Sequence, residues 1–304
     1  MKSYLDIHPA VYEAFQNKKP VIALESSFVA QGLPYPENLQ TCLEMMDLIK
    51  EEGAVPAVTA LCKGKIKVGL KNSEIEELAE EGNKYFKVAA SDLGIILARG
   101  FRGATTVSGT IYASYLSGIR ICATGGIGGV HREASQTFDV SQDLIGLSRF
   151  PVAVVSAGAK AILDLKLTLE YLETRGVPVI GYRTRSFPAF YSSASSYSLD
   201  HTVKDPQEAA EVIRTYQDLG WEGGLLFANP LPREDSLSWE FINDIMEKAL
   251  KEAKKENIQG KALTPFLLNY LNQETEGECL KANISLLKNN AILGARLAKS
   301  YYSR

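Results

Sequence analysis

Cysteine is scarce in this chain and shows no pairing pattern. Cys42, Cys62, Cys122 and Cys279 are the four in 304 residues, and no two have CxxC spacing. That argues against a disulfide framework or a thiolate metal cluster and reads as reduced packing residues of a cytoplasmic protein. A thiol nucleophile is the weaker alternative. Long apolar runs are also missing: none approaches the roughly 20 residues of a membrane helix. The amino terminus breaks its apolar positions with Asp6, His8, Pro9 and Glu13, so no signal-peptide core is present. Nor is there a basic excess. With 33 Lys and Arg against 36 Asp and Glu the net charge is -3, which argues against a nucleic acid polymer or an anionic membrane as partner. No linker, internal repeat or low-complexity tract interrupts the chain.

What is there is an ordinary globular composition, 45% hydrophobic and 23% charged, enough for a large core. Short apolar runs recur, most followed by a helical pattern. They are "PVIALES" (20–26, before a helix from about Asn38 to Glu52), "VPAVTAL" (55–61, before a Gly-Lys turn), "GIILARG" (94–100) and "IRICATGG" (119–126). "PVAVVSAG" (151–158), "GVPVIGY" (176–182) and "EGGLLFANP" (222–230) complete the series. Strands alternating with helices predict an α/β fold: a three-layer α/β/α sandwich with a mostly parallel central sheet. From about Ser236 the apolar spacing is helical, so a helical C-terminal portion is expected. The whole of 1–304 reads as a single domain. Residues 183–204, rich in Ser and Tyr, read as a long loop near a site.

In such sheets ligands bind outside the carboxyl ends of the strands, and that rule selects candidates. Lys160 stands where the run 151–158 gives way to an apolar stripe at Ile162, Leu165, Leu169 and Leu172. In the first turn of a helix, the dipole's positive end favours a free amine, as a Schiff-base lysine requires. The alternative is a surface lysine paired with Asp164. Glu25, closing the first run, is a general acid or a turn former. "GGIGG" (125–129) suits an anion or a tight connection. It lacks the Lys-Ser/Thr of a P-loop, and His131 stands where a dinucleotide fingerprint needs its third glycine. "HREASQTFDVSQD" (131–143) gathers His131, Glu133, Asp139, Ser141 and Asp143. This oxygen-rich set suits Mn²⁺ or Mg²⁺ better than Zn²⁺. Equally, Ser141 caps a helix with Asp143 in its first turn. Lys87 is a substrate-anion ligand or a surface charge.

Together "ALES" (23–26), "GLPYPEN" (32–38), "GATTVSGT" (103–110), "ATGGIGGVHRE" (123–133), "TFDVSQDL" (137–144), "AGAKAILDL" (157–165), "FPAFY" (187–191), "ANPLP" (228–232), "TPFLL" (264–268) and "NISLLKNNAILGA" (283–295) resemble the pseudouridine-5'-phosphate glycosidase family. That group includes the indigoidine synthase A-like proteins. The resemblance covers 15–300, leaving 1–14 as an N-terminal extension. It implies reversible cleavage of the C–C glycosidic bond of pseudouridine 5'-phosphate to uracil and ribose 5-phosphate, through a ring-opened sugar held as a lysine imine. Carried over by motif, Lys160 is the nucleophile, Glu25 the proton donor and Asp139 the Mn²⁺ ligand, with Mg²⁺ as an alternative ion. Lys87, Thr106, Val107, His131, Ser141, Gln142, Asp143 and Asn283 face the substrate. The family also implies a homotrimer.

The chain departs from the family at four positions. Ala90 and Ser91 stand where arginines are usual, Gln31 where a histidine is, and Ser193 where an arginine is expected. Weak binding of the 5'-phosphate, or use of an unphosphorylated or different C-nucleoside, is one consequence. The alternatives are drift at surface positions that never touched phosphate, and replacement by Arg183, Arg185 or Lys204. Run backwards, the same chemistry is a C-ribosyltransfer, and a non-enzymatic reading is a sugar-phosphate-binding protein.

Overall fold

The computed structural model describes residues 4–258 and 263–303; residues 1–3 of the expected N-terminal extension lie outside these. The strands are β1 (Leu5–Ile7), β2 (Val21–Leu24), β3 (Val55–Cys62), β4 (Lys65–Val68), β5 (Phe86–Val88), β6 (Gly103–Thr105), β7 (Ile121–Ala123), β8 (Val130–His131), β9 (Ala153–Ser156), β10 (Leu163–Asp164), β11 (Val179–Tyr182), β12 (His201–Val203) and β13 (Leu225–Ala228). The helices are α1 (Pro9–Gln16), α2 (Glu37–Glu51), α3 (Asn72–Glu80), α4 (Leu93–Ala98), α5 (Val107–Ser117), α6 (Ala134–Thr137), α7 (Gln142–Arg149), α8 (Leu165–Thr174), α9 (Pro206–Asp218), α10 (Trp239–Lys255), α11 (Leu263–Glu274) and α12 (Glu278–Tyr302).

The main sheet runs β1-β4-β3-β2-β7-β9-β13-β11-β12, with β6 on β3 and β5 on β6. Every pairing from β3 through β2 to β12 is parallel. Only β3 meets its neighbours β4 and β6 antiparallel. In β2, β9 and β13 all four residues are buried, as a strand with helices over both faces requires. On one face α12 packs between α2 and α9 against β2, β7 and β9; α5 lies on the other, beside α7. Gly294 sets the fit of α12, because a Cβ there would stand 2.2 Å from Ile22 Cδ1. The amino-terminal half of α12 thus overhangs the carboxyl ends of β2 and β7. Among the described residues no helix is long and apolar enough to cross a membrane.

Two expectations fail locally. Residues 94–100 are not a strand: α4 occupies them, burying Leu93 and Ile96 while Ile95 is 58% exposed. A short apolar run serves either state. Here Asp92 accepts the Ala89 N–H at 3.0 Å and starts a helical turn. The strand is β6, just downstream, where Gly103 lets Val88 approach. The second failure is the helix expected to carry Lys160, taken up below. The edge strands β1, β5 and β12, and β4 between β1 and β3, are not legible in the sequence, since three or four residues carry too little periodicity.

Candidate active site

Ladder register brings the first groups together. Leu24 pairs with Ala123, so the next residues, Glu25 and Thr124, leave adjacent strands side by side. Glu25 is only 4% exposed. The Thr124 hydroxyl donates to its Oε1 and the Ser27 hydroxyl to its Oε2. Below it lies a buried hydroxyl cluster: Ser26 Oγ accepts the Thr105 N–H at 2.9 Å, and Thr59 and Thr105 share a 2.8 Å hydrogen bond. Buried hydroxyls are tolerated because each has a partner.

Lys160 reaches the site from a loop, not a helix. Beyond β7 and β9 the two chains stay paired: Ala157 donates to Gly125 O (2.9 Å), Ile127 to Gly158 O (3.0 Å) and Lys160 to Ile127 O (3.0 Å). Gly158 must be glycine there. Its φ is +76°, and a Cβ would meet Pro188 O at 2.0 Å. The helix α8 begins only at Leu165, with Asp164 as its N-cap accepting the Leu167 N–H at 2.9 Å. The dipole of α8 therefore gives no first-turn effect at Lys160, and Asp164 caps a helix. The apolar periodicity ran past the true start because Ile162 is buried within the loop.

Lys87, at the centre of β5, is open to solvent along the cleft, yet protein crowds its ammonium. Desolvation first, and then the charge of Lys160, push its pKa below the ordinary lysine value; Glu25 and Asp143 pull the other way. Glu25, Lys87, Asp143 and Lys160 thus share one electrostatic neighbourhood.

Asp143 is buried with both oxygens engaged. Oδ1 accepts the Ser108 N–H and Oδ2 the Gly128 N–H, each at 2.8 Å. It ties the first turn of α5 to the glycine loop. Ser141 caps α7, as expected, by accepting the Asp143 N–H at 3.2 Å. Gln142 is exposed and accepts the Ser91 N–H at 3.3 Å. Thr106 and buried Val107 open α5 beside them. Asn283 lies on α12 two turns before Asn290, about 10 Å nearer the helix start, on the overhanging part.

His131 is placed by pairing of β8 with β10, which sets it opposite Leu163, three residues past Lys160. Asp139 returns from the loop beyond, its carboxylate 57% exposed and 3.8 Å from His131 Nδ1. Glu133 instead pairs with Lys254. Among the described residues no cluster of three His, Cys, Asp or Glu side chains could hold a metal.

The departures from the family pattern fall in two groups. Gln31 donates to the carbonyls of Gly82 and Tyr85, both at 3.1 Å, and so braces the entry to β5. Ala90 and Ser91 form the turn before α4, with the Ala90 N–H on Ser108 Oγ; they border the start of α5. Ser193 hydrogen-bonds Ser236. Arg183 stacks on Tyr182 and donates to Lys204 O at 2.6 Å.

Sequence reasoning missed Thr124, Ser27, Ser108 and the amide pair Asn229–Asn290. Asn290 is wholly buried. Its Nδ2 donates to Thr124 O (2.8 Å) and Gly125 O (3.1 Å), while its Oδ1 accepts from Asn229 Nδ2 (2.9 Å). The signal was present: Asn290 takes an i+4 position in the otherwise apolar stripe of Leu286, Gly294 and Leu297.

The family profile described as Indigoidine synthase A like protein matches residues 10–300. A Petrotoga mobilis protein named pseudouridine-5'-phosphate glycosidase is 50% identical over 298 residues, 98% of this chain and 97% of its own length. One of the same name from Geobacillus kaustophilus is 50% identical over 299 residues, 98% and 99% of the two chains. Two solved structures share the fold. The crystal structure of the prealnumycin C-glycosynthase AlnA in complex with ribulose 5-phosphate has a TM-score of 0.92 at 34% identity, covering 98% of this chain and 97% of that one. An indigoidine synthase A-like protein from Thermotoga maritima has a TM-score of 0.89 at 34% identity, with the same coverage.

Proposed function

Since the chain belongs to the indigoidine synthase A-like family, we propose that it reversibly cleaves the C–C glycosidic bond of pseudouridine 5'-phosphate, with Lys160 as nucleophile and Glu25 as proton donor. The supporting observation is that Glu25, buried just past β2, and Lys160, on the loop beyond β9, both lie close enough to Lys87 of β5 to act on its charge. The Lys160 amine attacks C1 of the sugar, forming a C–N bond as the ring oxygen leaves and takes up a proton. Glu25 then delivers its proton to the uracil carbon. The C1–C bond breaks while the nitrogen lone pair closes the C=N bond. Water hydrolyses the imine, releasing ribose 5-phosphate and restoring the amine. Lys87 and the opening turn of α5 supply positive charge for the 5'-phosphate.

Asp139, with His131 behind it, offers one carboxylate and one imidazole. That set fits a hard divalent ion, Mn²⁺ or Mg²⁺, that keeps most of its waters, not a closed protein cage. Bound there, the ion would supply fixed positive charge. A synthetic direction, joining a sugar phosphate to a carbon nucleophile, is a second reading, favoured by the likeness to a C-glycosynthase crystallised with ribulose 5-phosphate.

The test is covalent capture. Incubation with ribose 5-phosphate and borohydride should add a pentose-phosphate mass that Lys160→Ala abolishes. No gain with either ribose 5-phosphate or ribose would overturn the reading in favour of a binding protein.

A further inference from the structure

We infer that Thr124 is the positioning residue of the proton donor: its hydroxyl, held from both sides of its own peptide, fixes the carboxylate of Glu25. This rests on the function proposed above. Thr124 and Glu25 are 2% and 4% exposed, and the hydroxyl donates to Glu25 Oε1. The Thr124 backbone has no freedom of its own. Its N–H donates to Val155 O of β9 at 3.0 Å, and its carbonyl accepts from Asn290 of α12 at 2.8 Å. Asn290 in turn holds Asn229, which follows β13 and donates its own N–H to Ser156 O at 2.8 Å.

The other donor to Glu25, Ser27, is two residues along the same segment, at the entry to the π-helical turn Phe28–Gly32. It moves with Glu25 and gives no outside reference. Thr124 does: it is the described hydrogen-bond partner of the carboxylate that belongs to another strand. Through it β7, β9, β13 and α12 set where the proton donor stands relative to Lys160, on the neighbouring loop beyond β9. A donor misplaced by an ångström loses much of its rate advantage.

Thr124→Val keeps the branched shape and removes only the hydroxyl; Thr124→Ser keeps the hydroxyl. The titratable groups that feel Glu25 are Lys87 of β5 and the buried Cys122 thiol of β7, and Lys160 and Asp143 of α7 act on Lys87 in turn. Neither variant alters them. In Thr124→Val we expect the parent's extent of borohydride-trapped adduct with ribose 5-phosphate, and KM within about two-fold. The kcat for cleavage should fall about ten-fold or more, the size expected for losing one hydrogen bond to a carboxylate. Thr124→Ser should recover most of the rate. Unchanged kcat in Thr124→Val would overturn the inference. So would a Thr124→Ser variant as impaired as Thr124→Val, because shape would then be what matters. If Thr124→Val fails to fold, Thr124→Ala against Thr124→Ser carries the same contrast. Failure of trapping in the parent protein would sink the imine chemistry, while the cleavage rates of the variants would still decide the role of Thr124.

Discussion

Glu25 and Asp139 are both carboxylates of the candidate site, one just past a strand and one on a loop, and they are held in opposite ways. Glu25 is buried, with a hydroxyl on each oxygen and a chain of amides behind it. Asp139 stands on a returning loop with 57% of its side chain exposed and His131 3.8 Å away. The contrast follows from placement. Glu25 ends a strand covered on both faces, where an unpaired polar group is expensive, so the fold pairs it completely. Asp139 sits where water can complete any unmet demand. In the roles proposed above, a proton donor benefits from the first setting, and a ligand of a hydrated ion tolerates the second. Proton donation and ion binding should therefore respond separately to mutation.

The largest stability effect should come from the buried side of this comparison. Asn290→Leu leaves the Thr124 and Gly125 carbonyls and the Asn229 amide without their partner. At about 1–3 kcal/mol for each buried group left unsatisfied, a loss on the order of 3 kcal/mol in a urea unfolding titration is expected, with reduced turnover. A loss below about 0.5 kcal/mol would mean that water reaches these carbonyls and that the amide chain is not what holds Glu25.

The exposed side should give almost no stability effect. Asp139→Ala removes a solvent-facing group, so its unfolding free energy should stay within about 0.5 kcal/mol of the parent. Mn²⁺ binding, followed by the loss of the free-ion signal in electron paramagnetic resonance, should weaken by about ten-fold or more. Mn²⁺ binding as tight as in the parent would remove Asp139 from the ion site, whatever happened to turnover.

The same contrast explains what could be read from sequence. The strands β2, β3, β7, β9, β11 and β13 carry mostly apolar runs ended by glycine, proline or polar residues, so they were legible. Glu25, Lys160 and Asp143 each lie near enough to Lys87 to act on its charge. Thr124 and Asn290 were not legible as partners, because their role depends on register between segments far apart in sequence. The start of α8 was misplaced for a local reason. Residues 157–160 continue the strand pairing beyond the sheet, the apolar spacing of the helix already begins at Ile162, and only the Asp164 cap marks the true boundary.

Lys87 lies between the two extremes, and it should give the smallest change in stability and a reversed sign. Its pKa in the folded protein is pushed below the ordinary lysine value by desolvation and by Lys160. Between that lowered value and the ordinary one, the unfolded chain binds more protons than the folded one. Stability owed to this group therefore rises as pH climbs through that window and is at its poorest below it, at neutral pH. Lys87→Met removes a charge that disfavours the native state there. The melting temperature at pH 7 should hold or rise slightly, and its increase between neutral and mildly alkaline pH should flatten. The same substitution should weaken ribose 5-phosphate more than ribose, because the ammonium that burdens the fold is the one offered to the phosphate. A fall in melting temperature at pH 7 would show that attraction from Glu25 and Asp143 outweighs desolvation and Lys160. The cleft would then have to be redrawn as a balanced ion network instead of a positive pocket awaiting an anion.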